Sequence, residues 1–203
     1  MKRMTAIVLA AVLILSMMTL AGCKKKSNIP DDLIAYDTDS NGNPTSYYKN
    51  EYDKEGKLLR NYSYDSTGKL LGSTGYEYDE YGNEIKDIFY NSNGEIDATT
   101  LWEKTPEGLI TKRTDINSDN EITSIITIEY NDFKYESAIY RYNGDGTLRN
   151  YDTYEYDDEG EQTKMTRFNS DGSIKYYITY VTDENGKTTE YKYDANDNLL
   201  SAD

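Results

Sequence analysis

Histidine is absent from this chain, which removes the commonest general base and the commonest metal ligand together. Cysteine occurs once, at Cys23, so no disulfide can form within the chain. With neither histidine nor a thiol pair, most nucleophile dyads and zinc sites are excluded. The sequence therefore predicts no catalytic residue, no metal and no cofactor. Cations are few as well: 22 Lys and Arg stand against 37 Asp and Glu, for a formal charge of −15. Phosphate binding needs clustered Lys and Arg, and here they are scattered among carboxylates, so nucleic acid is not an expected partner. Tryptophan occurs once, at Trp102, and helical periodicity is missing from every stretch of ten or more residues after Cys23.

Long apolar runs are confined to Ala6 to Leu20, which follows Lys2 and Arg3. A span of about 20 residues is needed to cross a hydrocarbon layer as a helix, so this shorter run has the form of a signal peptide. It closes on Leu20-Ala21-Gly22-Cys23, which resembles the bacterial lipobox. That resemblance implies cleavage before Cys23 and a diacylglycerol on its sulfur, placing the protein in the bacterial cell envelope, membrane-anchored and outside the cytoplasm. Loss of Lys2 and Arg3 takes the formal charge to −17. Lys24, Lys25 and Lys26 stand beside the anchor, where each cation adds roughly 1 kcal/mol of attraction to anionic headgroups. The expected organisation is a signal peptide over 1–22, a tether over 23–33 and one domain over 34–203.

What is abundant is tyrosine, with 22 residues. It combines strand preference with a large packable ring. The tyrosines belong to a repeat. Glycines in Tyr-Asp/Asn-x-x-Gly units fall at 42, 56, 68, 82, 94 and 108, then at 146, 160, 172 and 186, with spacings alternating between 14 and 12. Continuing the rule places turns at Asn120, Lys134 and Asn198, for a period of 26 residues. Asp or Asn opens a type I turn, and Gly two or three residues later takes the left-handed conformation of a hairpin loop with a bulge. Asn tolerates that conformation, but Lys134 predicts an irregular or strained loop over 131–135.

About eight residues rich in Tyr, Thr and Ile separate the turns, which reads as strand. The fold class expected is all-β: an antiparallel meander of about a dozen strands built from a 26-residue double-hairpin repeat, forming a coiled or curved open sheet. Because 12 and 14 are even, residues eight after each Gly should share one face. That aromatic ladder supplies the candidate ligand-binding residues Tyr64, Tyr76, Tyr90, Trp102, Tyr142 and Tyr154.

The units Tyr52 to Gly56, Tyr64 to Gly68, Tyr78 to Gly82 and Tyr156 to Gly160 resemble the YD repeats of Rhs proteins, over roughly Tyr36 to Leu200. The resemblance implies a coiled β-sheet, which closes around a toxin domain in large members; the repeats here are too few to enclose a cargo. Phe168 to Tyr177 is also similar to the cell-wall-binding repeats of the choline-binding type, which stack Trp and Tyr on wall sugars or choline. Asp37, Asp39 and Asn41 match the opening of a calcium loop, but position twelve is Tyr48. Asp157, Asp158 and Glu159 allow a carboxylate-based hydrolase. The leading expectation is a non-catalytic lipoprotein whose sheet binds cell-wall glycan or an envelope protein. A structural or interaction spacer using the sheet's end strands is the second.

Overall fold

The computed structural model describes residues 32–203, so Cys23, the signal segment and nearly all of the tether lie outside the described residues. The turn signals divide the rest into strands β1 (Ile34–Thr38), β2 (Pro44–Tyr52), β3 (Leu58–Asp65), β4 (Leu70–Tyr78), β5 (Glu84–Asn91), β6 (Ile96–Lys104) and β7 (Ile110–Asn117). There follow β8 (Ile122–Tyr130), β9 (Glu136–Asn143), β10 (Leu148–Tyr156), β11 (Gln162–Asn169), β12 (Ile174–Thr182), β13 (Thr188–Asp194) and β14 (Leu199–Ala202). All fourteen pair antiparallel in chain order within one sheet. Each strand touches only its sequence neighbours, so the sheet is open and no described element covers either face.

One turn geometry serves both edges. In Asp53 to Lys57 the Gly56 amide donates to the Asp53 carbonyl and the Asp53 amide to the Lys57 carbonyl, while Asp53 Oδ1 accepts from the Glu55 and Lys57 amides. Asp65 to Lys69 repeats the pattern. The alternation of 12 and 14 is therefore no matter of turn type: between equivalent turns, nine residues (70–78) separate Lys69 from Asp79 and seven (58–64) separate Lys57 from Asp65, one further pleat. Lys134 sits at φ 67°, and its loop makes the same bonds as the glycine loops. The loop is regular and the strain is local, about 1–2 kcal/mol for an L-residue in this conformation.

The last turn departs from the sequence rule. Its left-handed residue is Asp197, at φ 64°, rather than Asn198. From β3 to β12 the incoming strand of each hairpin skips one partner just after its first residue, as where Glu51 pairs with Arg60 and Tyr52 with Leu58, leaving Leu59 bulged. The β12–β13 pairing has no such skip, and β13 is one residue shorter than the other odd strands from β3 onward. A missing bulge brings the turn forward by one residue.

The described residues form no apolar core. Ala138 is the one buried hydrophobic residue described; the others that reach burial are Gly75, Asp87, Thr100, Thr114, Asp152 and Thr166. Small mid-strand side chains are covered by long neighbours on adjacent strands, the cross-strand pairing that stabilises a sheet without a second layer.

Candidate functional site

The bulges decide which residues share a face. Because each bulge resets the in-out alternation, residues eight after the turn glycine do not form one ladder. In-register pairs place Tyr76 opposite Asp87, Asp87 opposite Thr100, and Asp152 opposite Arg167, all on one side. On the other side, Tyr64 faces Tyr47, Tyr90 faces Ser73 and Tyr142 faces Ile125. The expected single ladder is thus two sets: Tyr76, Trp102 and Tyr154 on an acid–arginine face, and Tyr64, Tyr90 and Tyr142 on a stacked face. Even spacing was the right observation, but it omitted the extra residue at the start of each strand.

On the acid–arginine face the rings are tied into polar networks. Trp102 Nε1 donates to Asp87 Oδ2 at 3.0 Å, and the Arg113 guanidinium lies 5.4 Å from the Trp102 ring centre. Arg113 Nε donates to Asp115 Oδ1, which also accepts from Thr100, while Ser124 donates to Asp115 Oδ2. Further along, Asp152 is 1% exposed and held by Arg167 through two bonds of 2.7 Å and by Arg141 at 2.8 Å. Burial pushes the Asp152 carboxyl up, yet the hydrogen bonds from Arg167 and Arg141 outweigh it and hold it below the usual carboxylate range. Burial likewise raises the Tyr154 hydroxyl, with Asp152 adding to it, and raises that of Tyr76, with Asp87 adding. Arg167 and Lys192 both lie over Tyr176, at 5.6 and 4.2 Å.

On the stacked face Tyr140, Tyr151 and Phe168 form a continuous column. Centroids are 5.3 Å apart with planes at 22° for the first pair, and 4.5 Å at 7° for the second. Tyr177 and Tyr193 form a second stack at 5.0 Å. Tyr90 is covered by Arg60, 4.1 Å from its centre, and opposite them Gly75 leaves room for the pair. Tyr64 borders an open cleft of about 590 Å³ with Tyr47, Tyr48 and Asn61. Tyr140 and Tyr151, the first two rings of the three-ring column, are not among the sequence's ligand candidates. The signal was available in the cross-strand pairing rule, once each strand is given its bulge.

A third use of tyrosine recurs at the ends of even strands. The hydroxyls of Tyr78, Tyr130 and Tyr156 donate to the carbonyls of Leu58, Ile110 and Glu136, each twenty residues earlier and each at the start of a bulge. These tyrosines supply donors to carbonyls beside the break in the ladder, and burial raises the titration of all three. At the N-terminal edge, Asp39 Oδ1 accepts from the Asn41 and Asn43 amides, and Asp37 accepts from Ser46. That segment is an Asx turn. Asp157 Oδ1 is engaged in the same way by the amides of Glu159 and Glu161.

The same strand arrangement is found in solved structures. A chain of the Photorhabdus luminescens Tc holotoxin pore aligns over 80% of this chain at 15% identity, with a TM-score of 0.58. The TcdB2-TccC3 crystal structures align at 17% and 18% identity with TM-scores of 0.51 and 0.50. The likeness is one of fold. This chain spans only 8–10% of the length of those toxin chains. No family model matches the sequence. No curated protein matches it either. The shared feature is a repeat sheet of β-hairpins, the architecture derived above from turn spacing.

Proposed function

We propose that this protein is a non-catalytic lipoprotein of the bacterial cell envelope, held by diacylglycerol on Cys23, whose hairpin sheet is a binding surface for cell-wall glycan or an envelope protein. The observation that carries this reading is the uncovered column Tyr140, Tyr151 and Phe168, whose near-parallel rings span three adjacent strands. Flat aromatic platforms of this kind suit the apolar face of a sugar ring or an extended peptide. The YD-type turn units and the fold shared with the Tc toxin chains support a repeat sheet of the Rhs kind, used here as an open platform.

Two measurements test it. Metabolic labelling with an alkynyl fatty acid should mark the wild-type chain and not Cys23→Ala. Retention on purified wall sacculi and on a glycan array should exceed that of an unrelated acidic lipoprotein and should fall at least about ten-fold in Tyr151→Ala, the loss of one stacking contact and its neighbours. Equal retention of the variant removes the column from the binding surface. A second reading rests on a different observation: β14 has an unpaired outer edge with Leu199 and Leu200 more than half exposed, a template for strand addition. On that reading the protein is an interaction spacer, and concentration-dependent association blocked by Leu200→Pro would favour it.

A further inference from the structure

The loop between β8 and β9 differs from its counterparts in three ways. Its tip is Phe133, at 79% the most exposed large apolar residue described. Its left-handed residue is Lys134 rather than Gly. The residue after that is Tyr135, whose ring lies 5.0 Å from Tyr156 and 6.5 Å from Phe133. These rings line a cleft of about 320 Å³ together with Asp157, Asp158 and Glu159. A Cβ at Gly160 would collide with the Tyr135 hydroxyl, so the ring is seated on that glycine. The cleft's lining contains no cation, and the loop's own Lys134 interacts with Glu107 of the preceding loop on that edge.

The repeat supplies an internal comparison. Three periods earlier, the positions of Tyr135 and Tyr156 are held by Lys57 and Tyr78, and Lys57 Nζ sits 4.4 Å over the Tyr78 ring. The strand-end tyrosine of this fold therefore accepts an ammonium group on its face. At Tyr156 the chain provides a second ring where the lysine stood, together with carboxylates, and supplies no ammonium of its own. Ring faces and carboxylates both carry negative potential, and an organic cation is the ligand that matches both.

We propose that the cleft binds an alkylammonium group, either a free small molecule or a lysine side chain of a partner protein, between the rings of Tyr135 and Tyr156 and the carboxylates of Asp158 and Glu159. Such a group gains the cation–π contact with little of the hydration that an inorganic ion must shed. The column at Tyr140 and Tyr151 lies outside this cleft, so failure here and failure of the glycan reading are distinguishable.

The test is titration of the full chain in detergent micelles, followed by calorimetry and aromatic NMR. Probes are tetramethylammonium, the lysine-like N-acetyl-lysine amide, and tert-butanol as neutral isostere. Saturable binding of a cation with shifts at Phe133 and Tyr135 is expected, weakened about ten-fold in Asp158→Asn/Glu159→Gln, a pair of exposed loop changes that leave the fold intact. Tyr81→Ala, the other exposed loop-tip aromatic, should change nothing. Preference for N-acetyl-lysine amide indicates a protein partner, and preference for tetramethylammonium a small molecule. Binding of tert-butanol as tight as either cation, no saturation by 100 mM (about the weakest range calorimetry resolves), or an unaffected double variant would each overturn the proposal.

Discussion

At the scale of single residues, two carboxyls on the same face respond to pH in opposite directions. Asp152 is held low by its arginines, so its contribution to stability is complete above the ordinary carboxylate range and is lost as pH falls through its lowered titration. Glu84 is held high, by burial first and then by Asp87, whose Oδ1 is buried without a donor. A protonated Glu84 supplies that donor, and its contribution is lost as pH rises through its raised titration. Glu84→Gln keeps a donor at every pH. It should raise the urea midpoint at pH 7 and leave it unchanged near pH 4, where Glu84 already carries its proton; an equal effect at both values would contradict the pairing. Asp152→Ala leaves two guanidinium groups facing each other and should cost about 2–3 kcal/mol, less than a fully buried pair because both arginines keep some contact with water. Lys134→Gly should gain about 1 kcal/mol by releasing the left-handed strain, read as a higher Tm.

At the scale of the strand and its hairpin, the bulge and the strand-end tyrosine work as a unit. A bulge breaks the ladder and leaves a carbonyl without its usual amide, and the tyrosine two strand ends away supplies the donor. Tyr78→Phe and Tyr130→Phe should each cost about 1 kcal/mol, the loss of one hydrogen bond with a half-buried acceptor left behind. The two sites, on β3–β4 and β7–β8, are separated by two strands and have no shared partner, so the double variant should cost the sum of the singles in chemical denaturation. A marked departure from additivity would mean that the sheet transmits strain across hairpins.

At the scale of the whole molecule, stability is a chain of nearest-neighbour terms. Every strand packs only on the strands before and after it, so among the described residues no contact locks the two ends of the sheet together. Hydrogen exchange should therefore be slowest near Asp152 and fall away towards β1 and β14, with the last hairpin, whose strands are the short β13 and the wholly exposed β14, among the first to open. Uniform protection along the chain would contradict this. The formal charge of −15 adds to the gradient, because salt that screens it should slow exchange most where hydrogen bonds are fewest.

The sequence by itself determined every turn but the exact place of the last, the strand count to within two, the antiparallel class and, among the described residues, the absence of a helix layer, because each depends on local chemistry: an Asx residue, a left-handed glycine and a short β-prone run. It located the strained loop at Lys134 for the same reason. What only the tertiary structure decided is which side each tyrosine faces. One bulged residue per strand inverts the alternation, and a bulge is fixed by the neighbouring strand's register rather than by the residues that form it. Hence Tyr76, Trp102 and Tyr154 part from Tyr64, Tyr90 and Tyr142, the column passes to Tyr140 and Tyr151, and Asp152, unremarkable in a chain full of carboxylates, becomes its most buried ionised group.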